Sequence, residues 1–451
     1  MLIATVIILL VILTVVFHFL SPWYFTPLAS NWGLIDTTVD ITFVITGVVF
    51  VAVNLFLAYC VIKFRHTKGR KADYDPENTK LEGWLTVGTS LGVAAMLAPG
   101  LVVWGMFVNV PEGAAEFEVV GQQWHWSYRF PGDDGLLGSV EIRHISEQNP
   151  FGVNPEDPNG QDDRLVASPI VHLPVNQPVK ALLRSKDVLH NFAVPQFRVK
   201  MDLVPGLVSY AWFTPTVIGE YEILCEELCG LAHFAMRGRV VVQEEADFQA
   251  WLAAQPTFAE INAQPAGDPV AGQAAYALCA ACHGPQGQGM QPMNAPRIAG
   301  LDAQYLRRQI RYFKDGVRGT SEGDNYGATM APAMAAVPSE AAIDNLVAYI
   351  QTLPAEPAPI TVSGDPVRGA DLYTTCAACH GADGQGRWAL NAPALAGMTD
   401  WYLVTQLKNF RAGIRGAHRD DLYGDQMIMM AEALSGDEAI NDLVAYLNGL
   451  R

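Results

Sequence analysis

CEELCGLAHFAM, residues 225–236, gathers Cys225, Cys229, His233 and Met236 in one short segment. A second imidazole, His190, lies upstream in SKDVLHNFAVP. Two thiolates, two imidazoles and a thioether form a soft donor set, suited to copper that moves between oxidation states. One copper needs only one such thiolate. Two thiolates in one loop can bridge two coppers, and an electron hole shared by both metals needs little reorganisation when it moves. A Cys225–Cys229 disulfide and a tetrahedral zinc site are the competing readings. Neither asks for a methionine at that spacing or for the upstream histidine.

The surroundings of this segment read as β-structure. EFEVVGQQWHWSYRF (116–130), PVKALLRS (178–185), LVSYAWFTP (207–215), GEYEILC (219–225) and RGRVVV (237–242) are short, rich in Val, Tyr, Trp and Phe, and separated by turn residues. They predict an all-β sandwich over 111–246. A short helical piece, ADFQAWLAAQ (246–255), follows.

Upstream, residues 2–20, 39–62 and 84–107 are apolar, each near the ~20 residues that a helix needs to cross a bilayer. They make residues 1–110 a transmembrane region. The first stretch lacks a basic leader and an A-x-A exit, so it reads as a retained helix rather than a cleaved signal. KFRHTKGRKADYDPENTK (63–80) carries six Lys or Arg and belongs on the cytoplasmic side. Everything after about residue 110 then lies outside, which in a bacterium is the periplasm.

Downstream, the chain repeats. GDPVAGQAAYALCAACHG at 267 matches GDPVRGADLYTTCAACHG at 364, an offset of 97 residues that holds without a gap to the end. The copies span 267–354 and 364–451, joined by a proline-rich, semi-stiff spacer. Each contains C-A-A-C-H. Two thiols add across the two vinyl groups of haem while the adjacent histidine reaches the iron. Cys279, Cys282 and His283 serve one haem, and Cys376, Cys379 and His380 the other. Of the many methionines nearby, only Met330 and Met427 map onto each other at that offset, both inside Y-G-x-x-M. A distal ligand needed twice should recur, and filler methionines need not.

The bulk numbers agree with a mixed membrane and soluble chain. Its 451 residues suggest about three domains, and 50% are hydrophobic. A formal net charge of −17 argues against nucleic acid and permits a basic protein partner. The seventh cysteine, Cys60, sits in an apolar run and reads as packing.

C-x-E-x-C-G-x-x-H-x-x-M with an upstream D-V-x-H resembles subunit II of cytochrome c oxidase, whose dinuclear copper A centre sits in a cupredoxin fold. The resemblance implies that Cys225 and Cys229 bridge the coppers and that His190 and His233 cap one each. Met236 and the Glu227 carbonyl complete the shells, and the Glu227 side chain reaches a magnesium shared with subunit I. By the same resemblance, Trp124 in GQQWHWSYRF admits electrons, and Glu82 in KLEGWLT opens a proton path into subunit I. Leu85 and Leu207 depart from the family's usual tryptophan and arginine. The repeats resemble class I cytochromes c found as tandems, with Asn294–Pro296 and Asn391–Pro393 walling the haems.

The expected fold is therefore multidomain: a transmembrane α-helical anchor, an all-β cupredoxin sandwich and two all-α cytochrome c domains. The expected cofactors are copper A, two covalent haems c and a shared magnesium. The implied role is electron entry into an oxygen-reducing, proton-pumping oxidase. Oxygen chemistry needs several membrane histidines, and the three apolar stretches offer only His18. That chemistry must belong to subunit I. Implied partners are subunits I and III, lipid, and an outside donor such as a cytochrome c or a quinol–cytochrome c reductase complex. The implied location is a bacterial inner membrane, spanned several times. A copper A nitric oxide reductase and a stand-alone carrier are the alternative functions.

Overall fold

The computed structural model describes residues 2–21, 26–71, 76–146, 149–263 and 267–450. Residues 72–75 of the basic loop lie outside them.

Three helices lead: α1 (Leu2–Leu20), α2 (Gly33–Lys63) and α3 (Thr79–Val108). All three are long and apolar enough to cross a membrane. The last two outrun the expected 39–62 and 84–107 because polar turns extend them. The Thr37 and Thr38 hydroxyls donate to the Gly33 and Leu34 carbonyls at 3.2 and 2.8 Å. At α3, the Asn78 side chain accepts from the Leu81 N–H at 3.0 Å.

Among the described residues ten strands follow: β1 (Ala115–Gln122), β2 (His125–Phe130), β3 (Arg164–Val166), β4 (Ile170–Pro174), β5 (Val179–Ser185), β6 (His190–Val194), β7 (Val199–Leu203), β8 (Ser209–Phe213), β9 (Gly219–Cys225) and β10 (Arg237–Gln243). They form two five-stranded sheets, ordered β3-β2-β1-β5-β8 and β4-β10-β9-β6-β7. Phe117, Trp126, Tyr128, Phe192 and Phe213 fill the space between them. Strands β3, β4, β6 and β7 lie outside the apolar runs that predicted the sandwich. Each is only three to five residues long, so cross-strand pairing rather than composition makes it a strand. Helix α4 (Glu245–Ala253) covers the position of the expected helical piece, and α5 (Phe258–Ala263) follows.

An aromatic plug fixes the sandwich to the anchor. Trp32 is fully buried, 4.7 Å from Trp212 and 5.2 Å from Phe107 between ring centroids. Trp32 Nε1 donates to the Trp212 carbonyl at 2.9 Å. Trp212 Nε1 and Tyr210 OH donate to the Met106 and Val108 carbonyls at 3.1 and 2.9 Å, satisfying acceptors that the end of α3 leaves open. Arg198 pairs with Asp36 in the first turns of α2 at 2.6 Å.

The repeat folds twice in the same way: α6 (Pro269–His283), α7 (Ala303–Lys314), α8 (Asn325–Met330) and α9 (Glu340–Ile350), then α10 (Pro366–His380), α11 (Asp400–Arg411), α12 (Leu422–Ala431) and α13 (Asp437–Leu447). In each copy the first helix crosses the last through a glycine. A Cβ on Gly272 would lie 1.9 Å from the Asn345 carbonyl oxygen, and one on Gly369 would lie 2.0 Å from that of Asp442. These crossings admit no side chain.

Trp32→Ala empties a filled site at the junction. By the usual cost of such a truncation it should destabilise the copper domain by about 3–5 kcal/mol. Calorimetry of the purified protein should show a lowered melting temperature for that domain, and an unchanged one would mean that the plug holds little.

Candidate copper and haem sites

Backbone pairing brings the copper donors together. Strand β6 pairs with β9 with Phe192 opposite Cys225, which sets His190 beside the loop. The loop leaves β9 at Cys225 and re-enters the sheet at Arg237, closed by Cys225 N–H donating to the Met236 carbonyl at 3.2 Å. The Cys225 and Cys229 sulfurs stand 3.7 Å apart, so they are unbonded. Each sulfur has its own imidazole: His190 Nδ1 is 4.0 Å from Cys225 Sγ, and His233 Nδ1 is 3.5 Å from Cys229 Sγ. Met236 Sδ lies 3.8 Å from Cys229 Sγ, and the Glu227 carbonyl 3.2 Å from Cys225 Sγ. His190, Cys225, Cys229 and Met236 are all buried.

The surroundings tune this cluster. Asp187 Oδ1 holds His190 Nε2 at 2.8 Å, leaving Nδ1 turned to the sulfurs. Sharing a hydrogen bond with Cys229 draws the Cys225 thiol well below its usual range, and the same pairing pushes Cys229 well above it. Trp124 is buried against the loop, with Nε1 donating to the Cys229 carbonyl at 3.3 Å. Gly230 permits this. Its φ is +121°, and a Cβ there would lie 3.1 Å from the Trp124 ring.

In the cytochrome domains, His283 and His380 are buried, and each Nδ1 is 2.8 Å from a proline carbonyl, of Pro296 and Pro393 respectively. Both rings are thereby turned to offer Nε2, the arrangement that an axial ligand needs. Burial pushes the Cys376 and Cys379 thiols up to about 11. Met330 ends α8, half-buried against its domain's core, and Met427 is half-buried in α12. Met334 and Met398 are buried, Met290 and Met293 are exposed, and Met429 packs against the sandwich.

The two cytochrome domains meet through a pseudo-two-fold network. Arg318 donates to Gln309 at 2.6 Å and to Tyr402 OH at 2.7 Å. Its repeat partner Arg415 donates to Gln406 at 2.7 Å and to Tyr305 OH at 3.0 Å. Neither guanidinium pairs with a carboxylate, and neither Nε has a partner, among the described residues. Holding positive charge away from water mainly against neutral oxygens is costly, and an anion such as the propionate of a bound haem would relieve it. The sequence held a trace of this network, since Tyr305 and Tyr402 recur at the 97-residue offset.

The second cytochrome domain also sits on the copper loop. Gln426 Nε2 donates to the Trp124 carbonyl at 2.7 Å and to the Ala235 carbonyl at 3.2 Å. Gln122 donates to the Ala389 carbonyl, and Arg419 pairs with Glu220. The Tyr423 ring stands 6.0 Å from His125. Ala378 and Cys379 pack against the sandwich core. No sequence signal marked Gln426, because it works through a neighbour distant in sequence; Asp187 stands in the D-V-x-H segment, but its orienting of His190 shows only in the fold. Glu82 is exposed in the first turn of α3, and the Glu227 side chain is half-buried at the edge of the loop.

Residues 116–244 match the family described as cytochrome c oxidase subunit II, periplasmic domain, and residues 269–354 and 366–451 match cytochrome c. The alternative cytochrome c oxidase subunit 2 of Bradyrhizobium diazoefficiens is 57% identical over 262 residues, 58% of this chain and 95% of that protein. The cytochrome c oxidase subunit 2 of Cereibacter sphaeroides is 29% identical over 235 residues, 50% of this chain and 77% of that one. The crystal structure of reduced cytochrome c4 from Pseudomonas stutzeri covers 41% of this chain and all of its own, at 26% identity and a TM-score of 0.33. The chain thus combines membrane helices, a periplasmic domain with a copper A-type site at His190, Cys225, Cys229 and Met236, and two haem c domains. It partners a haem-copper subunit I and admits electrons to it: the chain belongs to the cytochrome c oxidase subunit II family.

Proposed function

We propose that electrons enter at the first cytochrome domain, pass to the second, and go from there to the copper loop and subunit I. The observation that carries this order is the Gln426 side chain bridging the Trp124 and Ala235 carbonyls. Only the second cytochrome domain touches the copper loop among the described residues, while the first meets the second through the arginine network. When bound, copper and haem supply the one-electron chemistry.

The chain's residues hold and insulate the carriers. Cys225, Cys229, His190, His233, Met236 and the Glu227 carbonyl would hold the copper pair. Asp187 orients His190. The Glu227 side chain would hold a magnesium at the boundary with subunit I, and Glu82 would open a proton path into it. His283 with Met330, and His380 with Met427, would hold the two haems. Cys279, Cys282, Cys376 and Cys379 form the covalent links. The units 111–246, 267–354 and 364–451 fold as separate domains behind an anchor spanning residues 1–110. We assign a bacterial inner membrane crossed several times, with subunit III in the complex. The outside donor is a cytochrome c or a quinol–cytochrome c reductase complex. Tethering raises the effective concentration of the second cytochrome domain beside the copper loop, so that docking is intramolecular.

Met236→Leu or His233→Asn should block oxygen uptake while both haems still reduce in the optical spectrum. Uptake that survives either change would remove the copper loop from the path. Arg415→Gln removes a buried positive charge. It should lower the midpoint potential of a haem in redox titration without loss of haem attachment, and unchanged potentials would contradict the role given to the arginine pair.

A further inference from the structure

The repeat lets one cytochrome domain report on the other. In the second domain, Trp388–Leu390 and α12 form the face turned to the copper sandwich, through Ala389, Tyr423, Gln426 and Met429. The 97-residue offset carries that face onto Gln291–Met293 and onto Tyr326, Thr329 and Pro332 of the first domain. There it is open: Met293 is 53% exposed and Tyr326 is 55% exposed. The rim changes as well. Arg419, which pairs with Glu220 of the sandwich, becomes Glu322, and Asp420 becomes Gly323. The mixed-charge rim that suits the sandwich is replaced by an acidic one.

We propose that this open face of the first cytochrome domain docks the outside electron donor, a small redox protein whose apolar contact centre is ringed by lysine or arginine. The proposal rests on the order of electron entry given above. Three observations carry it. The same face of the same fold already packs on the copper sandwich within this chain. Its apolar centre persists in Met290, Met293 and Tyr326. Its rim is acidic at Glu322 in a chain of net charge −17, which favours a basic partner by steering and by complementarity. Gln426 and the second domain already cover the copper loop at Trp124, so a docked protein has no direct approach there. One electron leaves the donor, which is oxidised, and reduces the ferric haem of the first domain. No atom is transferred.

The test uses the intact oxidase complex with Glu322→Lys and Tyr326→Lys variants. A basic class I cytochrome c is one probe, and ascorbate with tetramethylphenylenediamine, which needs no docking surface, is the other. With the basic cytochrome, KM should rise about tenfold, as expected when a like charge is brought to an interface rim. Oxygen uptake with the small reductant and both haem midpoint potentials should not change. Carbodiimide cross-linking of the basic cytochrome to the unmodified complex should map to Glu322. An unchanged KM, or cross-links at Glu340 and Asp344 of the first domain, overturns the docking face and leaves the entry order standing. Cross-links to carboxylates of the second domain or of the sandwich overturn the entry order itself.

Discussion

Two sulfurs held 3.7 Å apart without a bond between them are the constraint on which the rest of the chain depends. Left free in an oxidising compartment, a close thiol pair becomes a disulfide. Here the hairpin from β9 to β10 fixes both, and each has an imidazole and either a carbonyl or a thioether within reach. A donor set this soft and this enclosed suits a copper pair whose charge is shared, because the walls already match both oxidation states and little need move on transfer.

The other contacts preserve that geometry and connect it. On the membrane side, Trp32, Phe107 and Trp212 lock the sandwich to α2 and α3, which ties the copper domain to those two helices. On the outer side, α12 lies on the loop through Gln426, against the backbone of Trp124 and beside His233. Farther out, the exchange of Arg318 and Arg415 between the cytochrome domains repeats the logic of an isologous dimer within one chain. Each arginine meets the tyrosine of the opposite copy, so one solution to the packing problem serves both halves.

Much of this was legible before any coordinates. The ligand residues stand out because copper and haem demand rare residue types at fixed spacings, as in Cys225 to Met236 and in the two C-A-A-C-H segments. The membrane helices stand out because hydrocarbon tolerates few polar groups, and the structure only lengthens them at their polar ends. Strands β3, β4, β6 and β7 were hidden, since each is too short for periodicity to register and gains its identity from its neighbours. Hidden too were Gln426, the orienting contact of Asp187 on His190 and the arginine exchange. They act across domain boundaries or through another residue, and a single sequence does not record which surfaces meet. The repeat offset came nearest, having aligned Tyr305 with Tyr402.

Magnetic relaxation in the oxidised complex tests the connection most directly. The unpaired electron of copper A relaxes faster when a paramagnetic haem is near. Complexes in which Cys376 and Cys379, or Cys279 and Cys282, are replaced by serine remove one haem at a time. The account predicts a signal split by two copper nuclei, whose fast relaxation is lost when the second haem is removed and largely kept when the first is. A single-copper signal, or fast relaxation that depends on the first haem instead, would contradict it.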